Sequence, residues 1–203
     1  DMGDPRDLTL SLTRSLAIQA EQGVVSAYSQ TTVGLEAPQG DLRMGDIHGA
    51  KGVMVKAAGG SLLGTDRGSL QSNGQVSLSA SGDIVGSTLD GQGVYQRDAA
   101  KHLQLSLAAG HALYIEAGGV ARVAQSGPVD LNLVLASTRG TDAAGVSYTA
   151  EANLRVGQVM AAGNVTLQAG QSIINVTASG QRHHANVTLT AMDAAALEAL
   201  GYA

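Results

Sequence analysis

Short segments in which apolar and polar residues alternate recur along the chain. In the segment from Val165 to Ala169 and on to Ile173, the apolar residues stand at offsets 0, 2, 4 and 8. The same offsets begin at Val76 and Leu105, and alternation with a period of two is typical of a strand with one buried face. Similar copies of this segment begin at Leu8, Val33, Val53, Leu131 and Val187. The pattern therefore predicts a strand at each copy.

The spacing of these copies predicts how the strands are stacked. Most successive copies start about 22 residues apart, and a shorter phrase in the last quarter, at Asn153, Asn164, Asn175 and Asn186, recurs every 11 residues. A glycine-containing break and a second short strand follow most copies. Repetition of such units predicts an all-β, parallel β-solenoid over residues 1–191, with about 22 residues per coil and eight or nine coils. An arrangement of hairpins is disfavoured, because only Asn73-Gly74 and Asp90-Gly91 resemble hairpin turns.

Three regions depart from the repeat. Residues 192–203 combine the possible cap Asp193 with an Ala- and Leu-rich run, which predicts a short C-terminal helix or linker. Residues 88–101 and 137–150 lack the strand phrase and are expected to be longer loops. Loops on a regular scaffold often carry recognition. The candidate recognition residues are Asp90, Tyr95, Arg97 and Asp98 in the first loop.

The regularly spaced asparagines are candidates for a structural ladder. Asn153 and Asn175 are 22 residues apart, as are Asn164 and Asn186. Like residues one coil apart would lie about 4.8 Å from each other, where their amides could hydrogen-bond. The alternative is that each asparagine only begins a turn. Each of the last three also starts an Asn-x-Thr sequence, whose modification would need a glycosylation machinery.

The composition limits which side chains can form the core and which classes of function the chain can have. The 203 residues include 27 Gly but no Phe, Trp or Cys, so the core must consist of small aliphatic side chains, as a narrow solenoid allows. The net charge of -5 and the 2% aromatic content disfavour nucleic-acid binding. No apolar run is long enough for a membrane-spanning helix. The absence of cysteine excludes disulfides and thiol chemistry.

The repeats resemble those of a known family. The phrases from Gly163 to Ile173 and from Gln75 to Ile84 are similar to repeats of filamentous haemagglutinin-type exoproteins, large secreted bacterial surface proteins. The resemblance implies a right-handed parallel β-helix that serves as an adhesive or spacer filament, located outside the cell or on its surface. Partners would be a surface glycan or protein, and copies could also associate end to end.

Candidate chemistry is sparse. Asp46 and His48 would share one strand face, but spacing identifies no third metal ligand, and the adjacent His183 and His184 would point to opposite faces of a strand. No cofactor is expected, and the chain is not expected to be an enzyme. Two alternatives stay open, a β-helical polysaccharide lyase or hydrolase with activity in the longer loops, and a self-assembling extracellular fibre subunit.

Overall fold

The computed structural model describes the backbone of residues 7–12, 16–19, 23–108, 111–142, 145–176 and 187–191, and the side chains of 23–108, 111–142 and 145–176. Every regular element in these ranges is a strand, and the strands form two sheets. The first, sheet A, contains β1 (Asp7–Leu12), β3 (Val24–Ser29), β5 (Leu42–Gly49), β7 (Leu62–Gly64), β8 (Leu70–Ser72), β10 (Ile84–Leu89), β11 (Tyr95–Asp98), β12 (Leu103–Leu105), β14 (Arg122–Gln125), β16 (Val146–Ala150), β18 (Val165–Ala169) and β20 (Val187–Ala191). The second, sheet B, contains β2 (Leu16–Gln19), β4 (Thr32–Ala37), β6 (Gly52–Ala57), β9 (Gln75–Ala80), β13 (Leu113–Ala117), β15 (Leu131–Thr138), β17 (Leu154–Ala161) and β19 (Ile173–Asn175).

The two sheets are opposite walls of a parallel β-solenoid, because the chain visits them in turn and pairs with itself one coil later. Val33 lies beside Val53, and Val53 lies beside Val76, in parallel register. The described residues make about seven turns with a spacing of roughly 21 residues. The predicted solenoid is confirmed, although the expected eight or nine coils exceed this number.

The core is a set of columns in which similar side chains stack coil upon coil. One column of sheet B consists of Ala37, Ala57, Ala80 and Ala117, all at most 6% exposed. A neighbouring column contains Leu35, Val55, Leu78 and Ile115. Each side chain packs between its equivalents above and below, so small aliphatic residues fill these two columns without aromatic rings.

The recurring segment forms strands of both sheets. Val76 begins its copy in sheet B, and Val165 begins its copy in sheet A. The strand predicted to begin at Leu105 was wrong, because Leu105 ends β12 and residues 106–108 are not in a strand. The 11-residue spacing is half a coil, since Leu154 lies in sheet B and Val165 lies in sheet A. The alternation of apolar and polar residues is therefore the same on both walls, and it cannot by itself tell one wall from the other.

A hairpin interrupts the regular coil. The bridge between Ile84 and Ala121 and the pairing of Leu103 with Val123 place the two ends of residues 85–102 next to each other in sheet A. Within this insertion β10 and β11 pair antiparallel, which confirms that residues 88–101 depart from the repeat. The expectation for residues 137–150 was wrong at both ends, because Ser137 and Thr138 belong to β15 and β16 is a regular strand between β14 and β18. The predicted C-terminal helix lies outside the described residues.

Candidate functional site

The hairpin carries all four candidate recognition residues, and its turn is organised by Asp90. One carboxylate oxygen of Asp90 accepts the N–H groups of Gln92 and Val94 at 2.8 and 2.9 Å. Its other oxygen accepts the side-chain amide of Gln96 at 2.9 Å. Gly93 has a φ of 77°, which glycine adopts at little cost. The turn is thus held by its own side chains.

The hairpin is attached to the solenoid through Arg97 and Tyr95. The guanidinium of Arg97 binds the carboxylate of Asp83 and lies 3.7 Å from that of Asp142. The hydroxyl of Tyr95 donates to Asp66 at 2.6 Å, and its carbonyl accepts from Arg43 Nε at 2.7 Å. These contacts tie the hairpin, whose strands belong to sheet A, to residues of other coils.

Asp98 closes the base of the hairpin. It accepts the Thr88 hydroxyl at 2.6 Å and the Ala100 N–H at 2.9 Å. The hydrogen bond from Thr88, followed by that from Ala100, holds the pKa of Asp98 below its ordinary value. Asp98 is therefore ionised near neutral pH, whereas a catalytic acid requires a raised pKa.

Each of the four candidate recognition residues therefore makes contacts within the chain that stabilise the hairpin or attach it to the solenoid. Arg97 is nevertheless exposed, and Asp90, Tyr95 and Asp98 are half-buried, so parts of all four side chains reach the surface. A role of these residues in recognition stays a prediction.

The four asparagines occupy positions that spacing alone did not predict. Asn175 lies beside Val156 rather than beside Asn153, because this coil is shorter than 22 residues. Asn153 instead donates from Nδ2 to Asp130 Oδ1 at 2.9 Å and accepts the N–H of Ser172 at 3.1 Å. Asn164 is exposed, and Asn186 lies outside the described residues. The observed ladder therefore connects three different polar residues, Asp130, Asn153 and Ser172.

Similar ladders link other coils. At one corner the N–H of Ser61 donates to Asp41 at 2.8 Å, and the N–H of Asp83 donates to the Ser61 hydroxyl at 3.0 Å. The carboxylate oxygen of Asp83 that does not bind Arg97 accepts the N–H of Val120 at 2.7 Å. These contacts were not predicted from the sequence, although Asp or Ser directly before the first apolar residue of a strand (Asp41-Leu42, Ser61-Leu62, Asp83-Ile84) is a signal that could have revealed them.

The pair Asp46 and His48 does not form a metal centre with other described residues. Asp46 accepts the N–H of Ser69 at 3.1 Å, and His48 packs edge-on against Tyr28 with ring centroids 4.7 Å apart. Among the described side chains, no three His, Cys, Asp or Glu residues are grouped as metal ligands. His183 and His184 lie outside the described residues.

His111 and Tyr148 are ionisable side chains with at most 1% of their surface exposed. His111 is 1% exposed, contacts the carbonyl of Ala108 through Nδ1 at 2.7 Å and accepts the N–H of Asn132 at Nε2 at 3.1 Å. Burial lowers the pKa of His111, because a charged imidazole would lose its hydration. Tyr148 is 0% exposed, and burial raises the pKa of its phenol. Its hydroxyl makes no hydrogen bond.

An open cleft of about 330 Å³ lies where strands of sheet B end. Charged side chains of both signs line it, namely Lys56, Glu116 and Arg139, together with the hydroxyls of Ser79 and Ser81. Lys56, Ser79 and Glu116 occupy one register position in successive coils. The cleft thus offers an extended ligand several donors and acceptors at intervals of one coil. Sequence reasoning did not identify it, because its residues are distant along the chain.

In the part of the chain that the structure describes, no helix has the length and apolar character needed to cross a bilayer. Comparison of the chain with protein-family models, with curated proteins and with solved structures gave no significant match.

Proposed function

We propose that this chain is a structural or adhesive segment of a large secreted bacterial surface protein, where it acts as a rigid spacer or a cell-adhesion filament. The observation that carries the proposal is the parallel pairing of strands from one coil to the next on both walls. Backbone hydrogen bonds and apolar columns join each described coil to its neighbours, so these coils form one stack that extends in one direction. Resemblance of the repeats to filamentous haemagglutinin-type exoproteins supports the same role, as well as a right-handed coil and a location outside the cell.

The cleft on sheet B is the surface that we assign to adhesion. Lys56 and Arg139 supply cationic donors, and the serine hydroxyls and Glu116 supply further polar groups. Such a row suits an extended glycan whose sugars contact successive coils. Single contacts of this kind are weak, but many copies on a surface raise the overall avidity.

A glycan array, followed by measurement of affinity for the best ligand, tests adhesion. The double variant Lys56→Ala and Arg139→Ala is expected to weaken binding at least about tenfold, which is the loss of roughly 1.4 kcal/mol. Lys51→Ala removes an exposed lysine outside the cleft and serves as the control. Equal affinities of the double variant and the control would remove the cleft from the proposal.

Incubation with acidic and neutral polysaccharides distinguishes adhesion from catalysis. Binding without new reducing ends or unsaturated products is expected. Turnover that disappears on substitution of Asp90 or Asp98 would overturn the proposal in favour of a lyase or hydrolase. Electron microscopy of the same samples would reveal filaments if the chain is instead a self-assembling fibre subunit.

A further inference from the structure

Arg122 is a buried cation with unused hydrogen-bond donors. It is the first residue of β14 and is 7% exposed. Its Nε and Nη2 atoms are buried and have no hydrogen-bond partner. These two nitrogen atoms have lost their hydration without gaining an acceptor, which is unfavourable for a charged group.

The neighbours of Arg122 in its row account for its burial, but they offer no acceptor for its charged guanidinium. Val85 and Arg122 follow the two bridged residues Ile84 and Ala121, so they are adjacent in neighbouring coils. Val85 and the next residue in this row, Leu63, are both 0% exposed. Leu63 and Val85 are therefore covered on the outward face of sheet A, whereas Arg122 keeps 7% of its surface exposed.

Another arginine in the same row shows what Arg122 lacks. Arg43 lies beside Leu63, and its Nε donates to the carbonyl of Tyr95 at 2.7 Å. The carboxylate of Asp83 near the hairpin is already bound by Arg97. Arg122 thus has a similar location to Arg43 but no acceptor for its two buried nitrogen atoms.

Polar groups flank Arg122 on both sides. Ser147 is its register partner in the next coil, and His102 precedes Leu103, the partner of Val123, in the previous coil. His102 Nε2 and the Ser147 hydroxyl are 2.9 Å apart, so their hydrogen bond passes across the coil of Arg122. Burial, followed by the charge of Arg122, lowers the pKa of His102. A serine hydroxyl that accepts from a histidine retains its own hydrogen for another acceptor.

We infer that Arg122, His102 and Ser147 form a binding site for an oxyanion group, that is, a sulfate, phosphate or carboxylate. A guanidinium presents parallel N–H donors that match two oxygens of such a group, and charge-assisted hydrogen bonds of this kind are among the strongest in proteins. The bound oxyanion would neutralise Arg122 and receive the Ser147 hydroxyl. This site is separate from the cleft on sheet B, and it does not depend on the adhesive role.

Thermal unfolding in the presence of low millimolar sulfate, phosphate or acetate, at constant ionic strength, tests this site. A saturable rise of the melting temperature is expected for the wild-type chain, about 5–10 °C at a hundred times the dissociation constant. Arg122→Met is expected to abolish the rise and, without anion, to melt at the wild-type temperature or above it. Arg67→Met, which removes an exposed arginine, is expected to behave as wild type.

Two outcomes would overturn the inference, namely no saturable rise with any of the three anions, or an equal rise in Arg122→Met. A measurement that needs no variant is the NMR signal of the Arg122 Nε–H group, which is expected to shift on titration with the same anions. An unchanged signal would also contradict the site. A sulfated and a uronic-acid oligosaccharide complete the series, because saturation at lower concentrations than the inorganic ions identifies a glycan as the source, and the reverse identifies a free anion.

Discussion

The carboxylate of Asp83 joins the hairpin to the solenoid by binding Arg97 with one oxygen and the backbone N–H of Val120 with the other. One side chain therefore serves both the ladder between coils and the attachment of the inserted strands. The two tasks can be separated by substitution, since asparagine keeps an oxygen for Val120 but loses the charge that holds Arg97.

Substitutions at Asp83 and Arg97 are expected to differ in their effects on the coil. Asp83→Asn and Arg97→Gln should each reduce the free energy of unfolding by at most about 1 kcal/mol, because the Arg97 side of this ion pair is exposed to solvent, which screens the attraction. Asp83→Ala should cost about 1–3 kcal/mol, because the N–H of Val120 is left without its acceptor.

Hydrogen exchange and chemical denaturation measure these effects. Exchange of the backbone amides in residues 87–98 is expected to become faster in all three variants, and exchange around Val120 only in Asp83→Ala. Equal exchange rates in the hairpin of wild type and Arg97→Gln would show that Arg97 does not anchor it.

The buried strand face is tested at two adjacent positions of β18. Leu167 is 3% exposed and stacks on Tyr148, whereas Thr166 is half-buried and points outward. Leu167→Asp should reduce the free energy of unfolding by at least about 3 kcal/mol, because it loses apolar packing and buries a charge. Thr166→Asp is the matched control and should be much milder. Equal losses in chemical denaturation would contradict the assigned faces.

Position 153 is expected to require an amide side chain, which can both donate and accept a hydrogen bond. Asn153→Asp replaces the donor that faces Asp130 at 2.9 Å by a second carboxylate, and two carboxylates at this distance repel each other. A loss of about 1–2 kcal/mol at neutral pH is expected. The double substitution Asn153→Asp with Asp130→Asn restores one donor and one acceptor, and it should recover most of the loss. Absence of recovery in a double-mutant cycle would show that this hydrogen bond does not stabilise the coil.

The free energy of unfolding is expected to fall as the pH is lowered through the range in which histidine titrates. The N–H of Asn132 can only donate, so Nε2 of His111 must accept. The folded state therefore requires the neutral form of His111. The pKa values of His111 and His102 are lowered on folding. The unfolded chain then binds more protons, and stability that is present above the unfolded pKa of about 6.5 is lost as the pH falls below it.

Chemical denaturation between pH 5 and 8 measures this effect. His111→Asn should be less stable than wild type at pH 8 and should show a weaker dependence on pH. A profile of wild type that is flat between pH 5 and 7, or that rises on acidification, would contradict the neutral state of both histidines.

Tyr148 offers a test in which a substitution is expected to stabilise the protein. Its ring fills the column between Val123 and Leu167, but its hydroxyl is buried without a hydrogen bond. Tyr148→Phe keeps the ring and removes the unpaired group, so the free energy of unfolding should rise by about 1 kcal/mol. Tyr148→Ala should lose about 3–5 kcal/mol, because it leaves a cavity. A destabilised Tyr148→Phe would show that the hydroxyl has a partner in solution.

The local pattern of the sequence determined the solenoid, the half-coil spacing and the small aliphatic core. Alternation at Val165 and Leu167 specifies which side chains point inward, and repetition specifies that coils stack, because both are properties of neighbouring residues. The identification of residues 88–101 as an insertion was also possible, since the alternation stops there.

Tertiary structure alone decided which residues meet between coils. A coil that is a few residues shorter moves Asn175 from Asn153 to Val156, and a uniform period cannot foresee such a change. The contact of Arg97 with Asp83 and the cleft on sheet B both bring together residues from different coils. The burial of the Arg122 guanidinium likewise depends on neighbours from other coils. All three depend on the length of each corner and on the path of the inserted hairpin, which backbone packing determines after the strands have been specified.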